Sequence, residues 1–459
     1  MPSDSKPTLC LCMIVKDEAE MLPRCLRSVQ GIVDEIVVLD TGSADATPQI
    51  ATEFGAKVHF HPWNSSFSEA RNYALQFVQS DWVLVLDADE EFERADSAQL
   101  GKVLRGEGYD AAHLSVLNYM PQGRTQLYSP RVFRRGKGRY EGIVHNQLLY
   151  EGAALVTGIR VYHYGYALGP EKLTAKQERT IGLLRIQLEK DPQDVFAWYN
   201  LIRMYRIRRR FELAACTGRE VLEDLSFEGK EHIFLMICYD VACSFLELGD
   251  LRSAEAFCRK ALKVEPAYVD ALFTLGVVQS KMCQWAKAGH SYLHFLETLA
   301  SLRESPSFHR LCLDTMDYDF LAHALLGECL LHMGAFPQAR DHFERALALY
   351  DANRHIWPAE VCPHPDILMQ MGKAAIGLGR FDRALSFFEQ RLHLGEPTPQ
   401  LLNNMAGCYA KLGDLDRAIE AYQRALRLNP HYEEARRNLA VMQRVAGSKT
   451  AAPTSLSRV

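Results

Sequence analysis

Two aspartates one residue apart are the strongest chemical feature of the sequence. Asp87 and Asp89 follow the apolar run Trp82–Leu86, which is rich in Val and Leu in the manner of a fully buried parallel strand. In an open α/β sheet, ligands bind outside the carboxyl ends of the strands, so both carboxylates should lie at the ligand crevice. Carboxylates at this spacing can hold a divalent cation and leave coordination positions open for a diphosphate. Such a pair is also common in charged turns, so its neighbours decide the interpretation.

Two further apolar runs also end in acidic residues. Thr8–Val15 leads into Lys16-Asp17-Glu18, and Glu35–Leu39 leads into Asp40-Thr41-Gly42-Ser43. Because parallel strands end at the same edge of a sheet, the three acidic strand ends should lie side by side.

The segments between these runs have helical spacing of apolar residues. Helices are predicted over Glu20–Val29, from the capping segment Asp45–Pro48 through Phe54 and over Phe67–Val78, and a further strand over Ala56–Phe60. Strands and helices therefore alternate, which predicts a parallel sheet covered by helices on both faces.

A short phrase recurs in the second half of the chain, where strand patterns disappear. It consists of a glycine, an apolar residue two positions later and an alanine five positions later. Its copies begin at Gly249, Gly334, Gly379 and Gly413, and degenerate copies begin at Arg209 and Cys283. The steps from Gly249 to Cys283 and from Gly379 to Gly413 are 34 residues, the period of tetratricopeptide repeats.

The repeats predict an all-α solenoid of about six helical hairpins over residues 189–446, with a concave binding face. A first domain over residues 1–188 precedes it, and residues 447–459 have the composition of a disordered tail. The uneven steps predict inserted loops at Ser301–Phe308 and Asp351–Pro365.

Composition excludes several classes of protein. With Lys+Arg 52 against Asp+Glu 57, the net charge is -5, which disfavours nucleic-acid binding. No apolar run approaches the length of a transmembrane span, and the polar start Met1–Pro7 predicts no signal peptide. The 12 cysteines lack metal-binding spacing, so we expect reduced core thiols in a cytoplasmic protein. The basic run Arg206–Arg210 favours a solvated helix end, with peripheral membrane contact as the alternative.

Four segments, in order and closely spaced, together resemble the family 2 glycosyltransferases of GT-A fold. They are Met13–Glu18, Val37–Asp45, Phe67–Asn72 and Asp87–Glu90. The resemblance covers residues 8 to about 185 and is strongest to a bacterial subgroup. That subgroup includes lipopolysaccharide-core β-glucosyltransferases and peptide S-glycosyltransferases, some with appended tetratricopeptide repeats. It implies a Rossmann-like sheet that binds a nucleotide sugar, followed by the all-α solenoid.

The resemblance also implies a UDP-sugar donor and a divalent cation, Mn²⁺ or Mg²⁺. Asp89 would ligate the cation, and Asp40 would accept a hydrogen bond from the uracil or the ribose. The implied contacts of the donor are Ile14, Val15, Asp17, Glu18, Asp40, Arg71, Asp87 and Arg131. The structural alternatives are a turn or helix-capping acid for Asp40 and a surface ion pair for Arg71.

Two later segments, Ser129–Arg135 and Tyr140–Asn146, resemble the acceptor side of the subgroup. There the resemblance makes His145 a second metal ligand beside Asp89. Arg131 would meet either the diphosphate or the acceptor.

The sequence departs from the subgroup at one position. A glutamate commonly follows the histidine, whereas Asn146 follows His145, and an amide cannot act as a general base. The base is therefore unassigned, with Glu141 and Glu90 as the nearest carboxylates. An acceptor such as a thiol would need little deprotonation. His163 also recurs in the subgroup, where we expect a structural role closing the sheet.

The sequence therefore favours an inverting, metal-dependent glycosyltransferase whose repeats present a saccharide, peptide or protein acceptor. We expect its donor site to need nothing from the repeats. A repeat scaffold with a nucleotide-binding but inactive first domain is the alternative; Asn146 favours it, and the intact pair of Asp87 and Asp89 opposes it. A nucleotidyltransferase would need a Gly- and Lys-rich phosphate loop after the first strand, which Lys16-Asp17-Glu18 is not.

Overall fold

The computed structural model describes residues 6–120, 123–144, 146–165, 170–304, 311–354 and 364–450. The chain forms two compact units. The first comprises Met1–Val278 and Glu297–Asp317, and the second comprises Gln279–Leu296 and Tyr318–Val459. The first unit thus includes helices of the predicted repeat region together with the sheet, and the domain boundary at residue 188 stays a prediction.

The first seven elements alternate between strand and helix, as the sequence predicts. They are β1 (Leu9–Val15), α1 (Leu22–Val29), β2 (Glu35–Asp40), α2 (Thr47–Glu53), β3 (Lys57–Phe60), α3 (Phe67–Leu75) and β4 (Trp82–Val85). Local chemistry explains their ends. Ser66 caps α3 by accepting a hydrogen bond from the amide of Glu69, at 3.3 Å.

The next elements complete one sheet and lead into the helical region. They are β5 (Glu90–Phe92), α4 (Ser97–Arg105), β6 (Ala111–Met120), β7 (Gly123–Arg134), β8 (Gly138–Glu141), β9 (Gln147–Tyr150), β10 (Ala154–His163) and α5 (Pro170–Lys190). The main sheet has 8 strands in the order β3-β2-β1-β4-β7-β6-β10-β5, and β8 and β9 form a separate pair.

The prediction of a parallel sheet is correct for β3, β2, β1 and β4, and β10 also pairs parallel with β6. In the other half β7 pairs antiparallel with both β4 and β6, and β10 pairs antiparallel with β5. Only residues 121 and 122 separate β6 from β7, and so short a connection joins antiparallel strands. The sheet as a whole is therefore mixed.

Both faces of the sheet are covered, as predicted for a layered α/β domain. Alternate side chains of β1 enter two different apolar clusters. Leu9, Leu11 and Met13 pack in one cluster, and Cys10 and Cys12 pack in the other.

Paired helices follow α5. They are α6 (Val195–Ile207), α7 (Phe211–Asp224), α8 (Glu231–Glu247), α9 (Leu251–Val264), α10 (Val269–Lys281), α11 (Trp285–Glu304), α12 (Asp319–His332), α13 (Phe336–Ala352), α14 (His364–Gly377), α15 (Phe381–His393), α16 (Pro399–Lys411), α17 (Leu415–Leu428) and α18 (Glu433–Thr450).

The repeat phrase marks the turn inside each helix pair. Every position where a copy begins has a positive φ, including the degenerate copies at Arg209 (55°) and Cys283 (56°). The alanine five positions later has 0% exposure in every copy: Ala214, Ala254, Ala288, Ala339, Ala384 and Ala418. A left-handed turn residue and a fully buried small residue are what two closely packed helices require.

The predicted insertions are only partly described. Ser301–Glu304 belongs to helix α11, so that part of the first predicted loop is wrong. Residues 305–310 and 355–363 lie outside the described residues. Of the predicted tail, residues 447–450 belong to α18, and residues 451–459 lie outside the described residues.

The basic run Arg206–Arg210 is not simply a solvated helix end. The Arg206 guanidinium pairs with Asp240 and Asp314, and its side chain is 19% exposed. Arg208 and Arg210 both pair with Glu178 of α5. Three of the four arginines in the run thus form ion pairs within the first unit.

Within the part of the chain that is described, no helix combines the length and the apolarity needed to cross a membrane. The cysteines of that part are free thiols, most of them buried.

Candidate active site

The acidic strand ends meet at one edge of the sheet, as the sequence predicts. β1 lies between β2 and β4, with Val15 opposite Asp40 and Cys12 opposite Val85. The residues that follow these strands are therefore neighbours, and Asp87 reaches the same edge as Asp40.

The loops after β1 and β2 hold each other through the residues of their own motifs. Asp17 has a φ of 55° and accepts the amide hydrogen of Ala44 at 2.7 Å. The Asp17 amide donates to the hydroxyl of Ser43 at 2.9 Å, and the Glu18 amide donates to that of Thr47 at 2.8 Å. Asp17 therefore has a structural role in the loop, in addition to the donor contact that the resemblance implies.

Asp40 stabilises the turn after β2 with one carboxylate oxygen and has the other oxygen left to accept a hydrogen bond from a ligand. Its Oδ1 accepts the amides of Gly42 and Ser43, each at 2.8 Å, across a turn where Gly42 has a φ of 109°. Its buried Oδ2 has no hydrogen-bond partner among the described residues, so one acceptor remains for a ligand. Ile14 and Val15 lie beside it at the end of β1, half-buried and buried.

Arg71 lies behind Asp87 rather than on the surface. Its Nη2 is 2.5 Å from Asp87 Oδ1; the Arg71 side chain is 9% exposed and that of Asp87 is 39% exposed. The Arg71 guanidinium also covers the ring of Tyr140. Burial acts to raise the pKa of Asp87, but the charges of Arg71 and Arg131 outweigh it and hold that pKa below its ordinary value. The alternative of a surface ion pair is wrong for Arg71, which fixes an ionised Asp87 from the interior.

Asn72, the next residue, ties α3 to β8. Its side chain donates to the Tyr140 carbonyl at 2.9 Å and accepts the Tyr140 amide at 2.8 Å. The Ile143 carbonyl accepts from the Phe67 amide at 2.9 Å, and the Ile143 amide donates to Gln187 of α5 at 2.9 Å. These bonds hold the segment that leads to His145, which itself lies outside the described residues.

Glu90 and Arg131 form a buried ion pair beneath the two aspartates. The Arg131 Nη2 to Glu90 Oε1 distance is 2.6 Å, with 15% and 2% of the side chains exposed. The second oxygen of Glu90 accepts the Asp87 amide at 2.8 Å. Both carboxylate oxygens are thus engaged, and Arg131 is directed at Glu90. The geometry therefore favours a supporting role for Glu90 and Arg131. The other candidate base, Glu141, is 51% exposed and pairs with Arg139 at 2.6 Å.

Asp89 faces His163, a pairing that the sequence analysis did not predict. Asp89 Oδ2 is 3.4 Å from His163 Nε2 and 3.3 Å from the ammonium of Lys176. The Asn118 amide oxygen lies 2.7 Å from His163 Nδ1 and orients the ring. An ideal Cβ on Gly165 would lie 2.1 Å from Asp89 Oδ2 and 2.6 Å from His163 Nε2, so a side chain at position 165 would displace these atoms. His163 closes the sheet as expected, and it also belongs to the site.

The pair of Asp89 and His163 fits a divalent cation. A separation of 3.4 Å is what two ligands of one small ion adopt when each lies about 2.0–2.2 Å from it. With Nδ1 held by Asn118, Nε2 is the nitrogen that faces Asp89 and would bind a metal. Among the residues described, no group of three or more His, Cys, Asp or Glu is placed to hold a metal ion, so the remaining ligands would come from a bound diphosphate, from water or from His145, which lies outside those residues.

The electrostatics of the edge also favour a cation. Burial raises the pKa of Glu18 to about 7, and the neighbouring charge of Asp89 adds to the rise. Burial acts to raise the pKa of Asp89 as well, but its hydrogen bond to His163 and the charges of His163 and Lys176 lower it below its ordinary value. The edge thus concentrates carboxylates whose mutual repulsion a bound cation would relieve.

Comparison with protein families finds matches in both the sheet and the helical region. Residues 10–163 match the family model for glycosyl transferase family 2. Residues 237–268 and 399–432 match models of the tetratricopeptide repeat. The recognised family, fold class and repeat type are thereby confirmed.

Several named proteins are similar to part of this chain. A TPR repeat-containing protein of Synechococcus elongatus is 40% identical over 201 residues, which cover 40% of this chain and 49% of the relative. The SPbeta prophage-derived glycosyltransferase SunS of Bacillus subtilis is 29% identical over 197 residues, covering 41% and 47%. An uncharacterized glycosyltransferase of Rickettsia felis is 40% identical over 82 residues, covering 18% and 29%. The chain therefore spans at most about half the length of these relatives.

Solved structures match the helical region at low similarity. Pseudomonas aeruginosa pilF is 18% identical with a TM-score of 0.40, and it covers 54% of this chain and 97% of its own. YrrB, described as a TPR protein with an unusual peptide-binding site, is 18% identical with a TM-score of 0.36, covering 48% and 95%. Likeness at this level carries no argument about function.

Proposed function

We propose that this chain, which carries a family 2 glycosyltransferase domain followed by tetratricopeptide repeats, transfers a sugar from a UDP-sugar to a saccharide, peptide or protein acceptor with inversion at the anomeric carbon. The observation that carries the proposal is the meeting of Asp89 and His163 over Gly165, at the sheet edge where Asp40 and Asp87 also end.

The nucleoside end of the donor belongs at Asp40 and Asp87. The unpaired Oδ2 of Asp40 suits a donor N–H or hydroxyl of uracil or ribose. Asp87, kept ionised by Arg71 and partly exposed, suits a ribose hydroxyl. Ile14, Val15 and Glu18 complete the wall of this pocket as the family resemblance implies.

The diphosphate end belongs at Asp89 and His163, which would hold Mn²⁺ or Mg²⁺. The cation, when bound, neutralises charge that develops on the departing diphosphate. Lys176 lies 3.3 Å from Asp89 and would be a second positive group for the phosphates. Asn118 keeps the imidazole turned toward Asp89 throughout.

In the transfer, an acceptor nucleophile forms a bond to the anomeric carbon while the bond to the diphosphate breaks. The acceptor proton needs a base, for which Glu90 and Glu141 are the sequence-based candidates. Since Glu90 is fully engaged with Arg131 and the Asp87 amide, Glu141 is the better of the two. A thiol acceptor, which ionises near neutral pH, would need neither.

The alternative function is a repeat scaffold whose first domain binds a nucleotide without turnover. Asn146 in place of the usual glutamate, together with the buried state of Glu90, favours this alternative. Binding measurements alone do not separate the two functions, but donor hydrolysis does.

The proposed donor site is tested by thermal unfolding of the full chain with nucleotides and Mn²⁺. UDP with Mn²⁺ should raise the melting temperature, because a ligand that binds only the native state stabilises it by mass action. Asp40→Ala should reduce the shift. An unchanged melting temperature with UDP, together with a rise caused by another nucleotide, would contradict the UDP assignment.

A further inference from the structure

A short extended segment after helix α11 is held by the first helices of three successive pairs. We call Leu311–Met316 the strap. Arg203 and Arg206 of α6 grip the Asp314 carboxylate, with nitrogen–oxygen distances of 2.7 and 2.8 Å. This is a charge-assisted contact in which two guanidinium groups share one carboxylate.

The neighbouring helices complete the grip. Asp270, at the start of α10, accepts the amides of Asp314 and Thr315 at 3.0 Å and the Thr315 hydroxyl at 2.7 Å. Asp240 of α8 pairs with Arg206 and keeps its guanidinium in place. We call Arg203, Arg206, Asp240 and Asp270 the cradle.

The strap also pairs with the sheet on its other side. The Leu313 amide donates to the Gln126 carbonyl at 3.1 Å, and the Gln126 amide returns a bond to Leu313 at 3.2 Å. Gln126 lies on β7, so the strap adds a short piece of strand there. Backbone pairing with side-chain selection is how extended peptides are commonly recognised.

The composition of the cradle indicates recognition rather than simple packing. Asp240 and Asp270 are both 0% exposed, and burying charges stabilises a protein less than apolar packing of equal volume does. An apolar seam would join the strap to the helices at least as firmly. The cradle instead distinguishes one carboxylate and one hydroxyl in an extended chain.

We propose that the cradle is a binding site for an extended peptide that carries an aspartate followed by a hydroxyl residue, and that the strap occupies this site as a ligand within the same chain. A tethered ligand acts at an effective concentration of the order of millimolar, so the strap keeps out of the cradle any peptide that binds there weakly. The acceptor of the transfer reaction therefore binds elsewhere, or it must carry the same pattern and displace the strap.

The test uses the full chain and a fluorescent peptide with the sequence of residues 309–318, carrying Cys312→Ser. The variant Asp314→Ala with Thr315→Ala removes the side-chain anchors of the strap, which are the carboxylate and the hydroxyl, and leaves the cradle intact. Measured by fluorescence anisotropy, this variant should bind the peptide at least about tenfold more tightly than the wild type. Adding Arg206→Gln to the variant should abolish the gain, and so should an asparagine in the peptide at the position of Asp314.

A folded double variant, verified by circular dichroism, that binds the peptide no better than the wild type would overturn the proposal. If the double variant does not fold, Asp314→Asn takes its place, because it keeps the side-chain volume and both amides that Asp270 accepts. A gain of less than about threefold for Asp314→Asn would then contradict the proposal. The assay measures binding alone, so its outcome is independent of whether the protein transfers sugars.

Discussion

Replacing Glu90 and Asp89 separately should damage the protein in opposite ways. Glu90 is 2% exposed and its partner Arg131 is 15% exposed, so Glu90→Gln leaves a guanidinium buried without its counter-charge. Removing one member of such a pair costs about 3–5 kcal/mol, of which we expect the lower end because the amide can still accept from Asp87. In a unit of this size that corresponds to a fall in melting temperature of about 5 °C.

Asp89→Asn should change stability far less. One of its two partners, Lys176, is 39% exposed, and an ion pair with so exposed a partner contributes about 1 kcal/mol or less. The other partner is His163, and the amide of an asparagine can still donate to its Nε2. Relief of the repulsion with Glu18 offsets part of that loss. The substitution should nevertheless abolish binding of Mn²⁺ with UDP, because the amide lacks the charge that holds the cation.

The assay is thermal unfolding of both variants in EDTA, followed by calorimetric titration of Mn²⁺ in the presence of UDP. Glu90→Gln should melt early and, below its melting temperature, bind the cation with an affinity near that of the wild type. If Glu90→Gln instead melted like the wild type and lost only turnover, Glu90 would be the catalytic base of the sequence-based prediction, and the supporting role argued from its buried ion pair would be refuted.

Three further predictions concern the same edge. His163→Ala should weaken Mn²⁺ binding at least about tenfold by calorimetry while UDP binds alone as before, and unchanged Mn²⁺ affinity would remove His163 from the cation site. Gly165→Ala should also impair Mn²⁺ binding, because its Cβ would overlap Asp89 Oδ2; wild-type affinity would show that the pair need not meet. Because burial raises the pKa of Glu18 from 4.5 to about 7, the native state binds more protons than the unfolded state between these values, and stability falls as pH rises through them. Glu18→Gln should therefore raise the melting temperature in EDTA at pH 8 and leave it unchanged near pH 4, and an equal effect at both would contradict the pKa argument.

The first four strands and their acidic ends could be predicted because their signals are local. The apolar runs of β1, β2 and β4 are uninterrupted, and an acidic residue follows each within two positions. The repeats were equally predictable, since a turn at Gly249 and a small residue at Ala254 recur in every copy. Even the copy without glycine at Cys283 turns with a positive φ.

The partners inside the site could not be predicted, because they depend on long-range pairing. Asp89 meets His163 only because β10 pairs with β5 and β6 at the far edge of the sheet. No periodic pattern in the sequence specifies how β10, β5 and β6 pair. Gly165 was the available clue, since glycine two residues after a histidine permits close approach.

The contribution of the repeats to the first unit could not be predicted from the sequence either. The sequence suggests that a chain ending near residue 190 would keep its donor site. The strap, which pairs with Gln126 of β7, comes from residues 311–316, and the first unit continues through Val278. A truncation near residue 190 would therefore remove contacts of the sheet, and we now expect it to lower the stability of the donor domain.

Hydrolysis of a panel of nucleotide sugars by the full chain, with Mn²⁺ or with EDTA, tests the central claim most directly. We predict that at least one UDP-sugar is hydrolysed with Mn²⁺, that EDTA stops the reaction, and that Asp89→Asn is inactive although folded. Hydrolysis by Asp89→Asn at the wild-type rate would contradict the site, and failure to hydrolyse any nucleotide sugar while UDP and Mn²⁺ still bind would support the inactive scaffold instead.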